Sequence, residues 1–454
     1  MHCTRLICIF GFCIILITGT GYTEESNTLE ISDVSASDEQ NLPDLTENSS
    51  LSDYLVYGAL NNPGLKAAFN RWKAAAERVT QARSFPDPRF NYTYYIREVE
   101  TRVGPQKHKI GFSQQILWFG KLRLQSDIAG QMANAERQKY ESTKLKLFYR
   151  IKEAYYEYYF LGKTINITEE NLNLIKYLEE ITRNRYSVGT ATHAAIIKAQ
   201  VEMGILEDRL RSLRELVYPL SAKLNAVLNI NSSTLLPVPK EIIQDEVEIS
   251  EDHIFDWIKE NNPELKSLDF VIEKQKTAID FAKKNYFPDL TFGLDYILTG
   301  KSRMPDVMDS GKDSIMAMIS VTVPVFRAKY RAAEQEAAAQ YEADLETRID
   351  RENKLISDTK MALYNFHDAE RKIDLYQNTL IPKAKQSLSV VQQGFIADKV
   401  DFLDLIDAQR TLLEFRLSFE RAFTDRGQYL AQLEMLTGKE IPRSGKMINY
   451  NNED

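Results

Sequence analysis

Asp401, Asp404 and Asp407 fall at steps of three in a helix-favouring stretch. Residues three apart lie near one face of a helix, so these carboxylates share a side. A ring of such groups around an aperture would hold cations; the ordinary alternative is a solvated helix face. Met304, Met308, Met316 and Met318 carry thioethers that suit Cu(I), but gap filling at a loop or lumen is the plainer reading. His108, His193, His253 and His367 are scattered without zinc-ligand spacing, and His193 reads as a solvated helix start. There is no phosphate-cradling glycine loop, no His-Glu-x-x-His and no nucleophile elbow. The sequence predicts no enzyme, no metal site and no cofactor.

The elements that must position these residues occur twice. Asn61-Asn62-Pro63-Gly64-Leu65-Lys66 returns as Asn261-Asn262-Pro263-Glu264-Leu265-Lys266, and Phe85-Pro86-Asp87 as Phe287-Pro288-Asp289. Tyr186-Ser187-Val188-Gly189 aligns with Phe395-Ile396-Ala397-Asp398, and Ala199-Gln200 with Ala408-Gln409. The offset grows from 200 to 209, so the chain is a duplicated structural half rather than a solenoid.

An apolar run from Leu6 to Ile17 follows Arg5 and precedes Gly19, Thr20 and Gly21. This predicts a cleaved secretory signal over 1–21. Cys3, Cys8 and Cys13 all lie inside it, so the mature chain has no disulfide and no thiolate site. Cys13 follows the bulky Phe12, against acylation there. The net charge of −8 is mildly acidic, which argues against a nucleic-acid partner. Residues 22–50, rich in Glu, Asp, Ser and Asn, are predicted to be disordered. Beyond the signal no apolar run is long enough for a spanning helix, so any membrane crossing must use strands.

Between Pro105 and Pro219 there is no proline. The composition from Gly120 to Ser187 predicts one helix of about 100 Å at 1.5 Å per residue, which implies a coiled coil or bundle. Tyr155, Tyr156, Tyr158 and Tyr159 are expected at a helix seam. Gly189 supplies a turn, and a helix returns over about 194–228. The second half repeats this over about 327–394 and 400–437, with a turn near Ala397-Asp398-Lys399. Pro382 has no counterpart in the first half and is expected to kink or break its helix.

Strands are predicted at about 89–97, 108–118, 289–298 and 314–325. Phe90, Tyr92, Tyr94 and Ile96 alternate with Asn91, Thr93 and Tyr95; Leu290, Phe292 and Leu294 alternate with Thr291 and Gly293. Such segments are long enough to cross a bilayer when tilted. Trp118, Phe119, Tyr92 and Tyr94 are candidates for an aromatic girdle. Four strands cannot close a barrel, and hydrocarbon does not tolerate open edges, so several protomers must pool their strands.

Over residues 51–441 these features resemble the TolC-like outer-membrane efflux proteins. The resemblance rests on the order of the duplicated halves, the Phe-Pro-Asp strand openings, Tyr186-Ser187-Val188-Gly189-Thr190 and Val400-Asp401-Phe402-Leu403-Asp404-Leu405-Ile406-Asp407-Ala408-Gln409. Ser113–Lys121 is similar to the metal-efflux branch. The resemblance implies a mainly α fold with a small transmembrane β part: a homotrimer with a twelve-stranded barrel in outer-membrane lipid and a periplasmic α-barrel. It implies an exit duct for a periplasmic adaptor (membrane fusion) protein and an inner-membrane pump of resistance-nodulation-division or ABC type. Asp404 and Asp407, with Asp401 beside them, match the entrance aspartates. Tyr186, Val188, Gly189 and Thr190 match adaptor-docking turns, and Phe395, Asp398 and Lys399 the gate. Phe395 stands where the family has tyrosine and Asp398 where it has glycine. The repeats are expected at 51–260 and 261–441, with a polar tail over 442–454. The alternative is a coiled-coil or adhesin-like envelope protein without transport.

Overall fold

The computed structural model describes residues 44–448 except 47, 241, 243, 248, 250 and 398. The expected signal, most of the acidic segment, Asp398 and the end of the tail lie outside the described residues. The first repeat holds α1 (Leu51–Asn61), α2 (Pro63–Arg83), β1 (Arg89–Thr101), β2 (Gly104–Ile116), α3 (Lys121–Ser187) and α4 (His193–Leu228). After β3 (Gln244–Val247), the second holds α5 (Glu251–Asn261), α6 (Pro263–Lys284), β4 (Asp289–Thr299), β5 (Ser314–Thr322) and α7 (Arg327–Leu375). A π-turn (Tyr376–Leu380), α8 (Ile381–Ile396), α9 (Phe402–Thr437) and β6 (Arg443–Ile448) complete the chain.

The repeated Asn-Pro motif joins helix ends in both halves. Asn62 Oδ1 accepts from Leu65 N at 3.0 Å and caps α2, while its Nδ2 donates to Val227 O at 2.8 Å near the end of α4. Asn262 accepts from Glu264 N at 2.8 Å and donates to Leu436 O at 2.7 Å near the end of α9. One side chain thus satisfies an orphan N–H of one helix and an orphan C=O of another. Pro63 and Pro263 follow at positions where a missing N–H costs nothing.

The strands form one antiparallel sheet in the order β1-β2-β4-β5. Its register lines up Phe90, Phe112, Leu294 and Ala317 across one face, and Asn91, Gly111, Asp295 and Met316 across the other. Lys109 pairs with Asp295 on the polar face at 2.7 Å. The apolar face is open, with Phe90 at 66% exposure and Ile319 at 68%. β1 extends to Thr101, beyond the expected end at 97, because Val99 to Thr101 pair with Gln106 to Gly104 after a register shift. The outer edges of β1 and β5 have no strand partner among the described residues. Trp118 stacks on Phe287 at 5.4 Å, and Phe119 is 81% exposed.

α3 has 67 residues and carries the sheet at one end, a span of about 100 Å. It packs against α2, α4, α6 and α9, and α9 packs against α7 and α8. Far from the sheet, Ile175 and Leu178 of α3 meet Ala199 and Leu206 of α4 and Phe402 and Leu405 of α9. Tyr155, Tyr156, Tyr158 and Tyr159 are all buried, and Tyr158 donates to Leu236 O at 2.7 Å. The Arg426 guanidinium, 1% exposed, donates to Gln244 at 2.9 Å and Glu370 at 3.1 Å and lies over the Phe366 ring. A buried charge of this kind stands only when its donors are matched.

Pro382 does not break its helix. The chain passes from α7 to α8 through the five-residue π-turn just before it. The wider turn takes up the missing N–H and the ring volume that would interrupt a regular α-helix. The aligned stretch of α3 is regular helix, so the two halves differ at this point.

Glu264, where the first repeat has Gly64, ties α3 and α7 together. It accepts from Ser142 at 3.1 Å and pairs with Lys146 and Arg351, each at 2.5 Å. Burial acts to raise the carboxyl, but Lys146 and Arg351 prevail and hold it below the usual range. A depressed folded pKa contributes stability above the unfolded value, and that stability is lost as pH falls through the folded one. Glu264→Gln is expected to cost about 1.5–3 kcal/mol at neutral pH. In thermal unfolding followed by circular dichroism, the gap to wild type should close as the pH drops below about 4. A pH-independent gap would assign the cost to packing.

Candidate functional site

Two turns stand together at the end of the helices far from the sheet. In the first, Gly189 adopts φ 79°, and its N–H donates to Tyr186 O at 3.0 Å. Thr190 N and its hydroxyl both bond Arg185 O, at 2.9 and 3.1 Å. Val188 is 74% exposed, and a Cβ on Gly189 would meet nothing within 4 Å. Thr192 caps α4, and His193, its first residue, is exposed and lies against Tyr186 at 5.5 Å. In the second turn Lys399 N donates to Gly394 O at 2.8 Å, and Lys399 is exposed. Asp398 lies outside the described residues.

The two turns are joined by Arg185, which sequence reasoning missed. Its guanidinium donates to Phe395 O at 2.5 Å and lies over the Phe395 ring at 4.6 Å. Phe395 is 6% exposed and packs on Phe402 at 5.6 Å. Phe395 has no hydroxyl and is held through its ring by a cation–π contact and through its backbone carbonyl by a hydrogen bond. The only signal in the sequence was a basic residue immediately before Tyr186.

Asp401 accepts from Phe402 N at 2.6 Å and is the N-cap of α9. Its carboxylate therefore terminates a helix, a task the spacing alone did not suggest. Asp404 and Asp407 lie further along the same helix and are exposed. Asp407 is 4.0 Å from Arg410, whose guanidinium also pairs with the buried Glu202 of α4. Asp404 makes no hydrogen bond or ion pair among the described residues.

The repeated Ala-Gln pair ties each returning helix to α3. Gln200 donates to Glu179 at 3.2 Å and Gln409 to Asn171 at 2.6 Å. Arg183 holds the Glu179 carboxyl below the usual range against its burial, with Gln200 assisting. Among the described residues no group of His, Cys, Asp and Glu could hold a metal ion, and no helix is long and apolar enough to cross a membrane.

The chain thus carries a sheet with one exposed apolar face at one end of a helix of about 100 Å, and two turns beside exposed carboxylates at the other. The family described as "Outer membrane efflux protein" matches residues 58–216 and 256–439, and the chain belongs to it. The cobalt-zinc-cadmium resistance protein CzcC of Cupriavidus metallidurans is 21% identical over 403 residues, 85% of this chain and 89% of that protein. The pyoverdine export outer membrane protein OpmQ of Pseudomonas putida is 21% identical over 311 residues, 66% of this chain and 64% of that protein. The fold matches the Campylobacter jejuni CmeC outer membrane channel with a TM-score of 0.71 at 15% identity, covering 91% and 92% of the two chains. The protein is an outer-membrane efflux channel of a tripartite system, with a long periplasmic helical extension.

Proposed function

We propose that three copies of this chain form the exit duct. Each gives four strands to a twelve-stranded barrel in outer-membrane lipid and its helices to a periplasmic tube. The supporting observation is the sheet: one face is apolar and exposed, and the outer edges of β1 and β5 are unpaired among the described residues. Such edges are not tolerated in hydrocarbon, so they must meet those of other copies.

In this reading the turn Tyr186–Thr190 receives the helical hairpin of a periplasmic adaptor, which couples the duct to an inner-membrane pump of resistance-nodulation-division or ABC type. Asp404 and Asp407 from three copies ring the entrance and concentrate cations there. Arg185, seated on Phe395, and the exposed Lys399 belong to the gate that docking opens. Asp401 keeps the returning helix in place at the ring. Light scattering of detergent-extracted protein tests the assembly: it should give three copies per particle. A stable, membrane-free monomer would end this reading.

A further inference from the structure

One strand-to-helix junction of this fold is completed inside the chain, and its repeat is not. β2 runs into α3 through Trp118 and Lys121, and there it meets Phe287-Pro288-Asp289 at the start of β4. Trp118 stacks on Phe287 with centroids 5.4 Å apart and rings 13° from parallel. Trp118 N and Lys121 Nζ both donate to Asp289 Oδ1 at 2.8 Å, and Lys121 Nζ also donates to Phe287 O at 3.0 Å. Lys121 is only 5% exposed. A carboxylate that accepts both an ammonium and a backbone N–H is a strong, geometrically specific joint.

The repeat supplies both parts of the same joint at opposite edges of the sheet. β5 runs into α7 through Phe326 and Lys329. Lys121-Leu122-Arg123 returns as Lys329-Tyr330-Arg331. The turn bond from Lys121 N to Trp118 O, 3.0 Å, returns as Lys329 N to Phe326 O, 3.1 Å. Phe85-Pro86-Asp87 stands before β1 as Phe287-Pro288-Asp289 stands before β4. Yet Phe326 is 79% exposed and Phe85 58%. Asp87 and Lys329 are exposed too. Asp87 makes no hydrogen bond or ion pair among the described residues, and the Lys329 ammonium lies 5.7 Å from the ring of its neighbour Tyr330. β1 and β5 are the two outer strands of the sheet, so one chain does not join these parts.

We propose that Phe326 and Lys329 of one copy seat on Phe85 and Asp87 of the next, reproducing between copies the joint that Trp118 and Lys121 make with Phe287 and Asp289 within one. The inference rests on the proposed ring of three copies and names the residues that lock it where the strands pass into the helices. The contact is head to tail, each copy offering a different patch to each neighbour, which is the kind of interface that closes into a ring. The Phe326 ring replaces the indole, and its backbone N–H and the Lys329 ammonium converge on the Asp87 carboxylate.

Beyond Cys13 the chain contains no cysteine, so the parent protein treated in parallel reports any background. An ammonium–carboxylate pair holds its Cβ atoms farther apart than a disulfide spans, so a short bis-thiosulfonate cross-linker is the probe. In extracted full-length protein, Asp87→Cys with Lys329→Cys should yield covalent dimers and trimers on a denaturing gel. Lys121→Cys with Asp289→Cys should react within one chain and stay at monomer size. Particles that are trimeric by light scattering, in which the inner pair links and the outer pair does not, would overturn the lock and leave the ring standing. Particles that are monomeric before linking would overturn both. A charge exchange gives a second measure. Asp87→Lys and Lys329→Asp should each lower the temperature at which trimers dissociate, and the double variant should regain most of that loss. No recovery in the double variant would likewise overturn the pairing.

Discussion

Gly189→Pro is expected to abolish export while the protein still assembles and inserts. Gly189 holds φ at 79°, and its N–H bonds Tyr186 O. Proline fixes φ near −65° and has no N–H, so the turn between α3 and α4 must change course. The damage should stay local, because the core below the turn is built from Ile175, Leu178, Ala199 and Leu206, none of which touches position 189. Gly189→Asn separates backbone from bulk. Asparagine tolerates the left-handed region, and the space around this Cβ is open, so export should largely persist. The measurement is growth of cells carrying the variant as their sole copy on toxic cations and hydrophobic dyes, beside trimer content in outer-membrane fractions. Normal growth with Gly189→Pro would remove adaptor docking from this turn.

Asp404→Ala combined with Asp407→Ala is expected to remove block by a multivalent cation added from the periplasmic side. In wild type, three copies would place six carboxylates around one aperture. Two unit charges at 4 Å interact by about 1 kcal/mol even in bulk water, so a trivalent ion among several carboxylates gains more than the 1.4 kcal/mol that equals tenfold in affinity. Block by hexamminecobalt in planar-bilayer recordings should therefore weaken at least about tenfold in the double variant. Arg410 lies 4.0 Å from Asp407 and partly offsets it, so Asp404→Ala alone should cause the larger single change. Asp401 is left intact, because removing a helix cap would mix a folding defect into the result. Equal block of wild type and double variant would reduce the two aspartates to a solvated helix face.

The sequence by itself determined every feature that repeats over short range. Alternation at period two placed Phe90, Tyr92 and Tyr94 on one face of β1, as their pairing with Phe112, Ile110 and His108 requires. The absence of proline and the helix-favouring composition gave α3. The order of the repeated motifs gave the duplication, and with it the family. Tertiary structure alone decided what joins residues far apart in the chain. Local patterning is blind to such contacts, because periodicity tells which side of an element is buried but not what lies against it. Hence the order β1-β2-β4-β5, the second bonds of Asn62 and Asn262 to Val227 and Leu436, and the seating of Arg185 on Phe395 came only from the fold. The π-turn before Pro382 belongs with them. The sequence specified the missing N–H, but whether the helix breaks or widens depends on the neighbours that hold both of its ends: α7 and α8 both pack on α9, so widening by a turn keeps that packing where a break would lose it.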